Sequence, residues 1–292
     1  MSLQKEIGVV VVGLGMAGRA RVRDLKEKTC GLRLKGVVSR RPVEDADVPA
    51  LTFDEALNKP DVGAIFISTE PRLHEDYVKK SLESGKHVLV EYPLALSSAT
   101  ARKLHELAEQ KGLVLYEENI GLLTEGFNVV KNKVKSVGIK SGQYTLKGSY
   151  NGWIEDFQAS GLPFVTGISG IQNMLSLFGD VKVVNGKLEK SEDGYTTEAD
   201  LEANGKPIKI TLSRSKSKEE HRRKQTIYEF EDGEVIDSDK IPQTSSKPGL
   251  FMRDMEEFYA AILNGKVSDE NKFLTIRGLE VAEEIHSFYS KG

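Results

Sequence analysis

The sequence predicts an α/β chain: an N-terminal doubly wound parallel sheet, then a C-terminal α+β domain built on a large, mostly antiparallel sheet. Three observations lead to this fold class. An apolar strand, a glycine-rich turn and a helical pattern follow one another within residues 7–28. Short apolar strands then alternate with amphipathic helices, which is typical of parallel sheets with right-handed crossovers. Beyond about residue 120 the pattern changes to alternating strands joined by hairpin turns.

In the N-terminal part we predict strands at 7–12, 34–38, 62–68, 87–91 and 114–116, and helices at 19–28, 53–57, 74–84 and 98–111. Thr52 is the expected N-cap of the second helix. In the C-terminal part we predict a helix at 122–133, strands at 140–149, 182–189, 196–203, 208–213, 225–231 and 234–237, and closing helices at 251–264 and 274–290. Hairpin turns are expected at Asn204-Gly205 and Asp232-Gly233.

Composition limits the functional classes. With 292 residues, 39% of them hydrophobic, the chain can form two modest domains, which we place at residues 1–119 and 120–292. A formal net charge of −3 argues against general binding of nucleic acids. Cys30 is the single cysteine, and neither a membrane-spanning run nor a metal-ligand spacing of histidines occurs in the sequence. We expect a cytoplasmic protein without metal or membrane partner, monomeric or weakly self-associating.

The glycine-rich turn predicts a dinucleotide-binding site of the Rossmann type. Gly13, Gly15 and Gly18 have GxGxxG spacing between a strand and a helix. The first glycine permits the tight turn, the second lets a pyrophosphate approach the backbone, and the third lets the helix pack close to the strand. Met16 and Ala17 lie at the helix N-terminus, where free N–H groups favour phosphate. The alternative is a plain structural turn.

The end of the second strand predicts which dinucleotide binds. An NAD-specific site usually has a carboxylate there, which binds the ribose 2′-hydroxyl. This chain has Ser39, Arg40 and Arg41 instead. A hydroxyl and two guanidinium groups can form charge-assisted hydrogen bonds to a 2′-phosphate, so NADPH is favoured, with NADH as a possible substitute. The alternative is that both arginines are ordinary solvated loop charges.

Further cofactor contacts are expected beyond the carboxyl ends of the next strands, because ligands of doubly wound sheets bind there. One group follows the third strand and another follows the fourth. Glu91 would orient the nicotinamide or its ribose, or else cap a helix. The predicted contacts in these groups are Ser68, Thr69, Glu70, His74, Glu91 and Tyr92.

The segment GKHVLVEYP at 85–93 resembles the oxidoreductase family that includes glucose-fructose oxidoreductase and inositol dehydrogenase, in which the corresponding strand ends in Glu-Lys-Pro. In sugar dehydrogenases of that family, the lysine acts with an aspartate and a histidine of the second domain to deprotonate a hydroxyl. Here Tyr92 replaces the lysine. An ungapped placement puts Val165, Ser169 and Gln172 at the matching second-domain positions, and none of them is a base near neutral pH.

Tyr92 together with Gly167-Ile168-Ser169 resembles the biliverdin reductase branch of this family. The likeness covers nearly the whole chain and includes SRR at 39–41, HEDY at 74–77 and SLFG at 176–179. It implies NADPH-dependent reduction of biliverdin to bilirubin, in which a hydride adds to the central methine carbon and a pyrrole nitrogen takes a proton. The chain departs from the mammalian reductases at Gly170 and Met16, where they have arginine, and at Gly121, where they have glutamate.

The resemblance also suggests roles for individual residues. Tyr92, protonated at neutral pH because its reference pKa is ~10, would lie beside the reacting centre and donate a hydrogen bond or stack on the substrate; the alternative is a core tyrosine. Glu118 would hold the pyrrole N–H groups, unless Glu117 and Glu118 form a solvated surface pair.

Biliverdin carries two propionates, so the site should contain cations. The densest basic segments lie at 213–216 and 221–224, and a solvated face is the alternative for both. The predicted substrate contacts are Ser169, Arg222, Arg223 and Lys224. Two other functions stay open: an NADP-dependent sugar or polyol dehydrogenase, and an NADPH-binding redox sensor without turnover.

Overall fold

A computed structural model describes residues 6–27, 30–42, 47–217, 223–243 and 248–289. The chain divides into two compact units. The first draws on residues 1–95, 99–120 and 246–272, and the second on residues 96–98, 121–245 and 273–292. Within the described part of the chain, no helix is long and apolar enough to cross a lipid bilayer.

The first unit is built on a five-stranded sheet of order β2-β1-β3-β4-β5, in which all pairings are parallel. Its strands are β1 (Ile7–Val12), β2 (Leu32–Val38), β3 (Ala64–Ile67), β4 (His87–Val90) and β5 (Leu115–Glu117). The helices between them are α1 (Met16–Lys26), α2 (Phe53–Asn58), α3 (His74–Glu83) and α4 (Ser98–Gln110). The predicted doubly wound parallel sheet is confirmed.

Local sequence accounts for these elements. All six residues of β1 are buried, as expected for a central strand covered by helices on both faces. Thr52 is the N-cap of α2, as predicted: its hydroxyl accepts from the Glu55 N–H at 3.2 Å, and the Glu55 carboxylate accepts from the Thr52 N–H at 2.7 Å. This reciprocal pair satisfies two N–H groups that the helix leaves free.

The second unit contains α5 (Glu125–Ser136), α6 (Phe157–Ser160) and α7 (Ile168–Phe178). Its strands are β6 (Ile139–Ser149), β7 (Lys182–Ser191), β8 (Gly194–Ala203), β9 (Lys206–Ser215), β10 (Arg223–Phe230) and β11 (Val235–Asp237). The sheet order is β11-β10-β6-β9-β8-β7. Only the central β6–β9 pairing is parallel, so the predicted mostly antiparallel sheet is confirmed.

The β8–β9 hairpin follows the turn chemistry that its sequence predicts. Asn204 and Gly205 have φ angles of 52° and 79°, the left-handed conformation that a two-residue hairpin turn needs at both central positions. α6 and α7 are additional to the elements predicted from periodicity, and α7 carries Ser169 in its first turn.

Two long helices end the chain, α8 (Leu250–Asn264) and α9 (Asp269–Tyr289). α8 packs on the five-stranded sheet of the first unit. Met255 and Phe258 share a core with Phe66 of β3, and the rings of Phe258 and Phe66 meet edge to face with 5.4 Å between their centroids. The predicted domain boundary at residue 119 places α8 in the C-terminal domain. In the structure α8 belongs to the first unit, because its apolar face covers the sheet of that unit.

Candidate active site

The loop between β1 and α1 has the form of a phosphate cradle. Gly13 has φ +92°, and a Cβ there would collide with the carbonyl of Ser68. A Cβ at Gly18 would overlap the Gly13 carbonyl, so the helix can approach the strand only with glycine at this position. Gly15, the N-cap of α1, has open space where its Cβ would be.

These residues fit a dinucleotide. The space beside Gly15 lies at a helix start whose first N–H groups lack partners within the helix, the arrangement that binds phosphate. Met16 is exposed and Ala17 is half-buried at the same helix end. Thr69 Oγ1, next to this loop at the end of β3, is buried and has no hydrogen-bond partner among the described residues. Such an orphaned hydroxyl is available to a ligand.

The ends of β2 and β3 come together. Arg40 Nη2 lies 2.9 Å from Glu70 Oε1, and the hydroxyl of Ser39 accepts from the Arg41 N–H at 3.0 Å. Arg40 and Arg41 are exposed. Both guanidinium groups can therefore reach a ligand at this end of the sheet, although Arg40 has an acidic neighbour.

His74 joins the loops that follow β3 and β4. Its ring is fully buried, with Nδ1 2.7 Å from the Pro93 carbonyl and Nε2 3.1 Å from the Thr69 carbonyl. Burial lowers the pKa of the imidazole. A neutral imidazole can donate to one of these two carbonyls, so His74 contacts both loops and positions them, and any effect on a cofactor is exerted through them.

Tyr92 directly follows Glu91 at the carboxyl end of β4 and is half-buried. The Tyr92–Pro93 peptide bond is cis. Tyr92 is not one of the buried core tyrosines of the described chain, such as Tyr144 and Tyr228. Tyr92 thus lies at the edge where Rossmann sheets bind nicotinamide dinucleotides.

Beneath this edge lies a buried charged network centred on Arg21 of α1. Its Nε donates to Glu91 Oε1 at 2.6 Å and its Nη2 donates to Asp254 Oδ2 of α8 at 2.8 Å. The Glu91 oxygen also accepts from Ser68 at 3.4 Å. Burial lowers the pKa of the Arg21 guanidinium, but the two carboxylates outweigh this and raise it above its ordinary value. Arg21 is therefore a permanent cation, and it fixes Glu91.

Asp254 ties the network to β5. Its Oδ1 accepts from the Tyr116 hydroxyl and from the Asn119 N–H, both at 3.2 Å. The single proton of the Tyr116 hydroxyl is shared between Asp254 and Glu257 Oε2, which lies 3.0 Å from the same hydroxyl. A buried carboxylate needs such partners because an unpaired charge in the interior is costly.

Glu118 is a further buried acid near this network. Its Oε1 accepts from the Ile120 N–H at 2.7 Å. Burial raises the pKa of the Glu118 carboxyl well above its ordinary value, and the charges of Glu91 and Asp254 raise it further, against the effect of Arg21. The carboxylates of Glu91 and Asp254 contact the Arg21 guanidinium directly, whereas Glu118 makes no such contact in the described part of the chain, and its raised pKa favours the protonated form.

The alternative of a solvated Glu117–Glu118 pair is wrong. Glu117 is 0% exposed and Glu118 is 3% exposed. Glu117 Oε1 accepts from the Leu94 N–H at 3.0 Å, so this side chain holds the backbone that follows Pro93. The two glutamates are adjacent in the chain, but their carboxylates accept from different backbone N–H groups, those of Leu94 and Ile120.

In the second unit, Ser169 is half-buried in the first turn of α7. A Cβ at the neighbouring Gly170 would overlap the ring of Tyr144 in β6. A larger residue at 170 therefore requires the Tyr144 ring to move or a smaller residue at 144, which gives a packing reason for glycine here. At Gly121, a Cβ would lie 3.2 Å from Asn173 Oδ1.

The basic segments differ in how free their cations are. Arg223 is exposed at the start of β10, and Lys224 Nζ lies 3.3 Å from Asp239 Oδ1. Arg214 donates to the Thr166 carbonyl at 2.9 Å. Arg222 lies outside the described residues. Of the predicted propionate contacts that the structure describes, Arg223 is thus the more accessible cation.

Arg21 and Asp254 belong to the buried network beside the candidate site, and sequence reasoning missed them. Each has a signal in the sequence. Arg21 shares the buried face of α1 with Gly18 and Leu25, and Asp254 lies one helical turn before Phe258 on the buried face of α8. A charged residue at an apolar position of an amphipathic helix indicates a buried ion pair or a functional group.

Within the described ranges, no group of three or more His, Cys, Asp or Glu side chains is arranged to hold a metal ion. A phosphate cradle after β1, with an acid and a phenol after β4, instead defines a class of dinucleotide-dependent oxidoreductases. Residues 7–119 match the GFO_IDH_MocA family, described as an oxidoreductase family with an NAD-binding Rossmann fold. The chain belongs to this family.

Individual relatives match over nearly the whole chain. Biliverdin reductase A of Mus musculus is 36% identical over 293 residues, covering 97% of this chain and 96% of that protein. Biliverdin reductase A of Homo sapiens is 35% identical over 297 residues, covering 98% and 97%. The crystal structure of biliverdin reductase from Synechocystis sp. PCC 6803, in complex with biliverdin and NADP+, has a TM-score of 0.80 at 23% identity and covers 97% of this chain and 99% of that chain. The family resemblance predicted from the sequence is confirmed.

Proposed function

We propose that this chain is an NADPH-dependent biliverdin reductase. The observation that carries the proposal is the full-length likeness to the mammalian reductases, combined with a phenol in place of the lysine base at the end of β4. The reaction adds a hydride to the central methine carbon of biliverdin and a proton to a pyrrole nitrogen, which gives bilirubin. Neither step requires removal of a proton from an alcohol.

The glycine loop would bind the pyrophosphate through the first N–H groups of α1, and Ser39, Arg40 and Arg41 would bind the 2′-phosphate. When bound, the reduced nicotinamide supplies the hydride. Glu91, held by Arg21 at 2.6 Å, would orient the nicotinamide ribose. Thr69 Oγ1 has a free hydrogen-bonding capacity at the same sheet edge. NADH would bind the same cradle without the contacts to the 2′-phosphate.

Tyr92 and Glu118 are the proposed catalytic residues. The half-buried phenol of Tyr92 would donate a hydrogen bond to the flat tetrapyrrole or stack against it. Glu118 is buried, and its raised pKa favours the protonated carboxyl group. Its carboxyl group can both accept from a pyrrole N–H and hold the proton that the reduced product needs.

Ser169, Arg222, Arg223 and Lys224 are proposed for the substrate. Arg223 is exposed and can pair with a propionate directly, whereas Lys224 would have to share its charge with Asp239. A cytoplasmic location and a monomeric or weakly self-associating state go with this proposal.

A spectroscopic assay tests the function. Biliverdin and NADPH are mixed with the protein, and loss of the long-wavelength absorption of the bilin is followed. Turnover supports the reductase. NADP-linked oxidation of a sugar or polyol, with no bilin turnover, would replace it with the dehydrogenase, and tight NADPH binding with neither reaction would replace it with the redox sensor.

A further inference from the structure

Two carboxylates share the guanidinium group of Arg21. Arg21 Nε donates to Glu91 Oε1 at 2.6 Å, and Arg21 Nη2 donates to Asp254 Oδ2 at 2.8 Å. These two nitrogens form the side-on fork of a guanidinium group, which fits both oxygens of a single carboxylate. Because Asp254 takes one of the two donors, Glu91 receives only half of the fork.

This division leaves one oxygen of Glu91 for a ligand. The side-chain hydrogen bonds that Glu91 accepts, from Arg21 and from Ser68, both go to Oε1, and in the described part of the chain Oε2 has no hydrogen-bond partner. The Glu91 side chain is 15% exposed, whereas those of Arg21 and Asp254 are 0% exposed. A ligand can therefore contact Glu91, and the other two residues act on that ligand only through Glu91.

The surroundings of Arg21 favour closure of the fork on Glu91 if Asp254 is lost. Arg21 Cζ lies over the rings of Phe66 and Phe251, 5.8 and 5.2 Å from their centroids, and these rings offer no strong acceptor. Arg21 Nη1 is already buried without a hydrogen-bond partner among the described residues. Since a buried donor without an acceptor is costly, a released Nη2 would turn to Glu91 Oε2.

Asp254 is held in place from its other side. Its Oδ1 accepts from the Tyr116 hydroxyl and from the Asn119 N–H, both at 3.2 Å. Both donors lie at the end of β5. One oxygen of the carboxylate is therefore tied to the sheet, which directs the other oxygen to Arg21.

We propose that Asp254 is a positioning residue for the cofactor: by occupying Nη2 of Arg21, it keeps Glu91 Oε2 free to accept from a hydroxyl of the nicotinamide ribose. The inference rests on the proposed function for the role of Glu91. Without Asp254, the fork would bind both oxygens of Glu91, because a bidentate charge-assisted pair is stronger than a single hydrogen bond. The ribose would then lose its charged acceptor.

The test compares NADPH with adenosine 2′,5′-bisphosphate, which contains the adenosine half of the cofactor and lacks the nicotinamide ribose. In Asp254→Asn, the amide oxygen can accept from Asn119, but the amide nitrogen cannot accept from Nη2. NADPH binding, titrated without any bilin, should weaken about tenfold. Binding of the bisphosphate should stay within about twofold, because it does not reach Glu91.

Two results would overturn the inference. One is an unchanged NADPH affinity in Asp254→Asn. The other is an equal loss of both ligands, including a complete loss in a chain that no longer folds, since Asp254 would then serve the fold alone. A parent protein that binds neither ligand would instead contradict the proposed cofactor site, so the two failures are distinguishable.

Glu257→Gln is the matched control. Glu257 lies on the same helix, and its Oε2 is 3.0 Å from the same Tyr116 hydroxyl, but its described hydrogen bonds do not include Arg21. The affinity for both ligands should stay within about twofold of the parent. A tenfold loss of NADPH affinity in this variant as well would mean that the net charge of α8 acts, and would reject a specific role for Asp254.

An Arg21→Lys background tests the fork itself. An ammonium group binds as a point charge and has no planar fork, so it has no second donor arm to release onto Glu91. Adding Asp254→Asn in this background should change the ratio of the two dissociation constants by less than about threefold. A full tenfold change would refute the proposed mechanism.

Discussion

Two arginine–glutamate pairs in the first unit have similar distances and different surroundings. Arg21 lies 2.6 Å from Glu91 with its side chain fully buried, and Arg40 lies 2.9 Å from Glu70 with its side chain largely in solvent. Removing one partner of a buried ion pair leaves the other charge unpaired in the interior, whereas water solvates the remaining charge of an exposed pair. The first pair therefore contributes to the fold and holds Glu91 still. The second can exchange partners, which suits a site that must respond to its ligand.

Replacing Arg21 tests the buried pair and should give the largest effect. Arg21→Met leaves Glu91 and Asp254 without their cation, and the free energy of unfolding should fall by about 3–5 kcal/mol. Denaturant unfolding measures this. Arg19→Met is the control, because Arg19 is an exposed residue of the same helix that donates to the Leu14 carbonyl, and its loss should lower stability by about 1 kcal/mol or less. Equal effects of the two substitutions would contradict the distinction.

Tyr92→Phe separates chemistry from packing at the edge above the buried pair. Loss of the hydroxyl should lower kcat for biliverdin by about 10–100-fold, the order expected when one catalytic hydrogen-bonding group is removed. Stability and NADPH affinity should change little, since the ring is retained. Steady-state kinetics and cofactor titration provide the two measurements. An unchanged kcat would remove Tyr92 from the catalytic residues.

Glu118→Gln tests the buried network through the pH dependence of the free energy of unfolding. The folded-state pKa of Glu118 is raised above its ordinary value of 4.5, so its stabilising contribution is present at low pH and is lost as pH rises from about 4.5 to the folded pKa. Each pH unit in that window costs about 1.4 kcal/mol. The variant should lack this dependence and gain stability relative to the parent as the pH rises above about 4.5. Parallel profiles would show that Glu118 is ionised in the folded protein.

Arg40→Ala probes the exposed pair and should affect binding only. We expect NADPH affinity to fall about tenfold because one charge-assisted contact to the 2′-phosphate is lost. NADH affinity should stay within about threefold, since NADH has no phosphate there. Unfolding should match the parent protein, in contrast to Arg21→Met. An unchanged NADPH affinity would mean that Arg40 is an ordinary solvated loop charge.

Patterns within short stretches of sequence were sufficient for the cofactor cradle and for most elements. The spacing of Gly13, Gly15 and Gly18 predicts the close approach of strand and helix that the structure shows. The hydroxyl of Thr52 caps the helix that directly follows it. Glu117 and Glu118 had two open interpretations, because a charged pair reads the same whether it is exposed or buried. Burial depends on what covers the residue, and here the neighbours come from elements distant in the chain.

The sequence by itself determined the fold class, the dinucleotide loop and the replacement of a lysine base by Tyr92, since each depends on residues within a few positions of one another. Only the tertiary structure decided that Arg21 meets Asp254 across 233 positions, that burial raises the pKa of Glu118 and that Glu70 reaches Arg40. The physical reason is that pairing, burial and pKa depend on distances in space. Those distances follow from how α8 and the strand ends pack, and local periodicity does not encode them.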